Sequence, residues 1–272
     1  SSVEKLLGCS LAWTLHYPGQ LRGGVGTAPG APSPLLFGNL AHHVLAATFA
    51  DGAIDAPAAA ARAAAVFEAE VPGLAEQLLL PEHQVERALA KRSIVDSARE
   101  LAAVIARAGA TVRGVELALT GTFGTLAVEG RADLLLANPD LVIDFKWGAT
   151  KYRERIRDGA ALQLAIYAAL GKTGSVLPGV AYLSLRTQDV LAAHGTAIVD
   201  ARVPGTHSIG DMVDGGLAGL AARLDQLAAG ELVAPSALED APRSALASGV
   251  MQLAPDCQYC DFSVLCGKRV RS

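Results

Sequence analysis

Apolar positions recur every three or four residues through the first hundred residues of the chain, change to alternation and solid apolar runs, and later change back. The first regime is that of one-sided helices and the second that of strands. Helices are expected at 3–17, from Pro34 to about Ala50 and across the Ala-rich 57–80. Another is expected over 82–108, where Val85, Leu89, Val95, Ala98, Leu101 and Ile105 mark an apolar stripe that ends at Gly109. Residues 18–34, with five Gly and four Pro, read as an exposed loop. Strands follow at 111–119, 124–136 and 141–147, then a helix at 159–170, a buried strand at 179–186 and a further strand at 196–200. A helix at 211–229 ends at Gly230, before a loop-rich tail. No internal repeat interrupts this order, which is that of an α/β core with a helical insertion at 50–110.

Composition narrows the class. With 272 residues, 51% hydrophobic and 18% charged, the chain can bury one substantial core. No run reaches the roughly 18 apolar residues of a membrane span, and no basic segment with a long apolar core opens the chain. A cytoplasmic protein with no membrane partner is expected. The start Ser-Ser, without an initiator Met, is that expected of a tag remnant or of a domain cut from a longer polypeptide. A net charge of −4 argues against a large sequence-independent nucleic-acid surface and leaves room for a local basic track.

The chemistry is concentrated in residues 130–147. Two apolar runs flank Asn138-Pro139-Asp140, a turn signal, so the segment reads as a β-hairpin. Folding it about Asn138 and Pro139 brings Asp133 opposite Asp144 or within one residue of it, and alternation puts Lys146 on the face of Asp144. Two carboxylates so close repel, and a hard divalent cation removes the conflict. Edge-strand charges and a surface ion pair are the bland alternative. Against it stand the run Leu141-Val142-Ile143 and the interleaved Phe145 and Trp147, which mark a central strand.

Asp, a hairpin and then Asp-x-Lys resembles the active-site signature of the PD-(D/E)XK nuclease superfamily. Gly130-Arg131-x-Asp133 followed by Ile143-Asp144-Phe145-Lys146-Trp147-Gly148 is most similar to the RecB-like branch. Gly38-x-x-x-His42 matches the histidine motif of that branch, and Gln163-x-x-x-Tyr167 matches a motif that follows its Asp-x-Lys strand. The resemblance implies a restriction-endonuclease-like mixed β-sheet core flanked by helices, with residues 1–272 forming one nuclease domain. It implies hydrolysis of DNA phosphodiester bonds with Mg2+ or Mn2+, as an exonuclease in double-strand-break repair and recombination. His42, Asp133 and Asp144 would hold the metal, with Glu116 a lesser candidate. Lys146 would act on the attacking water or the developing charge, and Gln163 and Tyr167 would position the strand. The implied partners are single-stranded DNA or duplex ends, and a helicase subunit or fused motor domain.

Lys151, Arg153 and Arg155 belong to a run with four cations in seven residues, which reads either as a solvated helix face or as a grip on phosphates. Four cysteines are the second strong signal. Cys257-x-x-Cys260-x5-Cys266 closes the chain and Cys9 opens it, a spacing that favours metal over disulfides. Four thiolates fit zinc or an iron–sulfur cluster. The one-plus-three arrangement resembles the 4Fe–4S staple of AddB-type nuclease domains, which implies a cluster joining segments 1–17 and 251–272 and makes zinc second choice. Gly171-Lys172-Thr173 is no phosphate-binding loop, because Ile166 stands where that loop requires Gly. Two other classes remain open: a DNA-end-binding module with little activity of its own, and an electron-transfer protein.

Overall fold

The computed structural model describes residues 2–22, 32–198, 200–235, 243–262 and 265–266. Part of the loop expected at 18–34 (residues 23–31) lies outside them. The N-terminal helix is two helices, α1 (Ser2–Gly8) and α2 (Ser10–His16). Cys9 separates them in an extended conformation, and its Sγ accepts the Ala12 N–H as the N-cap of α2. Next come α3 (Pro34–Phe49), α4 (Ala56–Leu74) and α5 (Gln84–Arg107), with two short 3-10 turns between the last two. Ser33 and Asp55 cap α3 and α4 through their side chains, each with Pro in the first turn.

A five-stranded mixed sheet occupies the middle of the chain: β1 (Thr111–Phe123), β2 (Leu126–Ala137), β3 (Leu141–Lys146), β4 (Gly179–Ser184) and β5 (Val190–Ala192), in that spatial order. Only β3 and β4 run parallel. A parallel neighbour requires a crossover, and here it holds α6 (Thr150–Arg157) and α7 (Leu162–Gly171). One face of the sheet packs on α3, α4 and α5, with Leu45, Phe67, Ile94, Leu101, Ile143 and Phe145 at its core. The other packs on α1, α7 and α8 (Ile209–Ala228), through Leu6, Phe123, Leu162, Leu164, Tyr182 and Leu220. The central strands are buried on both sides, which explains why β3 and β4 read as near-continuous apolar runs.

Several expectations change in detail. Among the described residues the last strand of the sheet is β5 at 190–192, not 196–200. The helix expected at 159–170 is α7, beginning at Leu162, and α6 precedes it across Gly159, whose φ of +68° ends the first helix. Val85 and Leu89 are 68% and 60% exposed. They lie on the row that continues through Arg92 and Asp96, whereas Ala90, Ile94, Ala98 and Leu101 face the core. The tail contains a hairpin, β6 (Ala245–Ala247) and β7 (Val250–Gln252), docked on α8. Gly219 permits that docking, since a Cβ there would come within 2.4 Å of Met251 O. No helix among the described residues is long and apolar enough to cross a membrane.

Candidate functional site

The β2–β3 ladder runs from Leu136–Leu141 to Leu134–Ile143 and stops one step short of Asp133 and Asp144. Where strands part, backbone groups lose their ladder partners and must find others. Asp133 and His42 supply them. Asp133 Oδ2 accepts the Phe145 N–H at 2.5 Å, and His42 Nε2 lies 3.1 Å from Phe145 O. A carbonyl only accepts, so Nε2 carries the proton and Nδ1 is turned inward. It lies 3.1 Å from Asp133 Oδ1 and 3.8 Å from Glu116 Oε1. His42 comes from the middle of α3, a helix whose Leu40, Ala41, Val44 and Leu45 are buried in the core on that side of the sheet.

Glu116 reaches this point by an unusual backbone. The pairs Val115–Leu134 and Leu117–Ala132 place it beside Asp133, and its φ is +48°. That left-handed conformation costs a non-glycine residue about 1–3 kcal/mol and concentrates at functional sites. His42, Glu116 and Asp133 each offer a ligand atom within 4.8 Å of the others. An imidazole with two carboxylates suits Mn2+ or Mg2+.

Asp144 faces a second set of groups. Its Oδ2 lies 2.5 Å from Lys146 Nζ, a close buried charge contact. Asp144 Oδ1 accepts from Gln163 Nε2 at 3.0 Å. Gln163 also donates to Tyr167 Oη at 3.0 Å, and Tyr167 donates to Arg131 O at 2.8 Å. The i, i+4 pair on α7 thus braces Asp144 from the strand before it. Gly130 makes room for this brace, because a Cβ there would come within 2.7 Å of Tyr167 Cε1. Lys146 is 15% exposed and lies 5.4 and 5.7 Å from the ring centres of Tyr152 and Tyr182.

Electrostatics follow the geometry. Burial pushes the Asp144 carboxyl up to about 7; Lys146 opposes this and the Asp133 charge adds to it. For His42, burial pulls the imidazole down, but its hydrogen bond to Asp133 and the charges of Asp133 and Asp144 outweigh that and leave it raised. Burial likewise pulls Lys146 down, and the Asp144 charge more than restores it. Glu116 is raised by burial and by the neighbouring Asp133. Burial, then the Asp144 charge, pushes Tyr167 to about 12, so it stays a donor.

The basic run on α6 is not a free strip of charge. Lys151 pairs with Asp256 at 3.0 Å, Arg153 with Asp189 at 2.9 Å and Arg155 with Glu4 at 2.7 Å. Lys151 and Arg153 remain 50% and 40% exposed, while Arg155 is 14% exposed and ties α6 to α1. Arg155 and Glu4 also line a cavity of about 230 Å3. All four cysteines, Cys9, Cys257, Cys260 and Cys266, face that cavity, although the chain separates the first from the rest by nearly its whole length. Burial raises the Cys9 thiol, and the three other cysteines add to the rise.

Glu116, the lesser carboxylate candidate by sequence, is the one that groups with His42 and Asp133 among the described residues. A lone Glu in an alternating edge strand carries no local signal of its backbone twist. The bracing role of Gly130 was equally invisible, because it depends on a ring from α7.

No curated protein matches the chain. The family model of the PD-(D/E)XK nuclease superfamily matches residues 1–267, a span that takes in His42, Asp133, Asp144, Lys146 and all four cysteines. With its mixed sheet, its Asp and Asp-x-Lys on adjoining strands and this near-complete match, the chain belongs to the PD-(D/E)XK nuclease superfamily.

Proposed function

We propose that residues 1–272 act as one RecB-like nuclease domain, a metal-dependent DNA exonuclease serving double-strand-break repair and recombination beside a helicase. The observation that carries this reading is the meeting of His42, Glu116 and Asp133 next to the Asp144–Lys146 pair where β2 and β3 part. The donor set fits Mg2+ or Mn2+, and Asp144, where β2 and β3 part, is a further carboxylate suited to the same ion. Such an ion, when bound, polarises a scissile phosphate and lowers the pKa of water.

The chain's own residues do the rest. His42 presents Nδ1 because Phe145 O holds Nε2. Asp133 is fixed by the Phe145 N–H, and Asp144 by Gln163. Lys146 stays charged between Asp144 and two aromatic rings, where its ammonium can orient the attacking water or neutralise charge that develops on the phosphate. The exposed ends of Lys151 and Arg153 contact phosphates further along the strand, exchanging carboxylate partners for phosphate.

For the cysteines we propose a structural 4Fe–4S cluster joining segments 1–17 and 251–272. Its support is the common cavity on which the four thiols meet and the Cys257-x-x-Cys260-x5-Cys266 spacing with Cys9 far upstream. A cytoplasmic setting, which keeps thiols reduced, suits such a site.

Cleavage of end-labelled single-stranded and double-stranded DNA with Mn2+ tests the reading and gives polarity at once. Wild-type protein is expected to shorten the strands from an end, and Asp144→Asn or Lys146→Ala to abolish this. Retained cleavage in both variants, or binding to ends without cleavage by the wild type, rejects it.

A further inference from the structure

Beside the metal-ligating group, and opening from it, is a cleft of about 540 Å3. Its lining includes His42, Glu116, Arg131 and Lys146 and also Leu35 and Trp147, with Leu35 about two turns before His42 on α3. Arg131 is 68% exposed, held only loosely by Glu116 at 3.8 Å. Leu35, in the first turn of α3, is 71% exposed. Trp147 follows directly on Lys146 at the end of β3. Phe37 stacks behind it, with ring centres 5.3 Å apart and planes 16° from parallel. Phe37 itself is not among the residues lining the cleft.

The fold therefore fixes one indole beside the reactive groups and backs it with a second ring. A nucleotide can use both kinds of lining, its anionic phosphate meeting the cations and its flat apolar base face meeting the indole. A base inside a duplex has both faces covered by its neighbours, so only an unpaired one can lie against a protein ring. We infer that Trp147 is a stacking platform for the unpaired base adjoining the scissile phosphate, that Phe37 positions it, and that the pair makes the site prefer a frayed or single-stranded end. Arg131 takes the phosphate side of that nucleotide. This rests on the nuclease reading for the position of the phosphate and goes beyond it in naming what sits next to it.

The test separates the two. Steady-state cleavage is measured on a single strand with a normal or an abasic nucleotide at the reactive position, for wild type, Trp147→Phe and Trp147→Ala. Loss of base stacking should raise KM on the normal strand about ten- to a hundred-fold in Trp147→Ala, with Trp147→Phe between and kcat little changed. On the abasic strand the three proteins should coincide. Equal losses on both strands, or none, overturn the inference while leaving the nuclease reading intact. Trp13 and Trp147 are the two tryptophans of the chain, so a Trp13→Phe protein reports on Trp147 alone. Its fluorescence, read without metal, should be quenched by oligothymidylate and unaffected by an abasic strand of equal length. That quench in a protein that cleaves nothing upholds the platform and rejects the nuclease; no quench rejects the platform whether or not cleavage occurs.

Discussion

His42 Nδ1 and Asp133 Oδ1 stand 3.1 Å apart, with the other imidazole nitrogen pinned to Phe145 O. Without metal, both nitrogens face acceptors, and the imidazole is held in its charged form above its usual range. A metal must displace that proton. Mn2+ affinity measured by calorimetry should therefore rise with pH through neutrality and level off once His42 is neutral, with proton release that falls over the same range. His42→Ala should weaken Mn2+ binding by at least about tenfold, since even outer-shell partners of metal ligands contribute that much. Unchanged affinity in the variant would remove His42 from the ligand set.

Asp144 makes the metal-free protein sensitive to pH in a direction opposite to ordinary acid denaturation. Its folded pKa is raised from 3.8 to about 7, so its contribution to stability is fully present below pH 3.8 and is lost as pH rises through 7. His42, also raised, contributes below about 6.5 and loses that as pH passes its folded value. Glu116 has the same sign. The lowered carboxylates Glu4, Glu68, Asp158 and Asp211 act only near or below their ordinary acid range. With chelator present, Tm should fall between pH 5 and 8, and Asp144→Asn should flatten that slope. Added Mn2+ should restore stability most at the alkaline end, where the ligands are unprotonated. A Tm that climbs from pH 5 to 8 with chelator present would refute a burial of Asp144 that outweighs its pairing with Lys146.

The Gln163–Tyr167 brace should separate positioning from folding. Tyr167→Phe removes the bonds to Gln163 and Arg131 O and keeps the ring, so cleavage should drop roughly tenfold with Tm little altered. Gly130→Ala drives a methyl to 2.7 Å from the same ring. Overpacking of that kind costs about 1–3 kcal/mol, so this variant should lose both stability and activity. A fully active, fully stable Gly130→Ala would mean that the ring can give way without disturbing Asp144.

How much of this was legible beforehand follows from the range of each signal. The hairpin around Asn138-Pro139, the pairing of Asp144 with Lys146, and the Gln163–Tyr167 face are local patterns of period two or four, and they were readable from spacing alone. His42 was placed by resemblance, since nothing in α3 itself points to the open end of β3. Glu116 depends on a backbone twist in β1, and Val85 and Leu89 on which of two adjacent helical rows meets α4. Such choices belong to tertiary packing and leave no mark on a short window of sequence. Lys151, Arg153 and Arg155 look alike in sequence, and only their carboxylate partners distinguish two exposed cations from one that holds α1 to α6.

The cysteine cavity allows a prediction that joins chemistry to the fold. Cys9 caps α2 and follows directly on α1, which packs against α8, while Cys257, Cys260 and Cys266 follow the hairpin docked on the same helix. A cross-link there closes a loop of almost the full chain, and loops of that order stabilise by about 5–6 kcal/mol in the chain-entropy account. Protein purified without oxygen should be brown and contain close to four irons. Cys9→Ala should be colourless and melt well below wild type, because α1 and α2 lose their tie to the tail. Arg155 shares the cavity and anchors the helix that follows Lys146, so cleavage by Cys9→Ala should also fall even with saturating Mn2+. A colourless wild type that binds one zinc per chain would replace the cluster with a smaller ion, and a Cys9→Ala protein of unchanged Tm would show that the two ends of the chain are held together by packing alone.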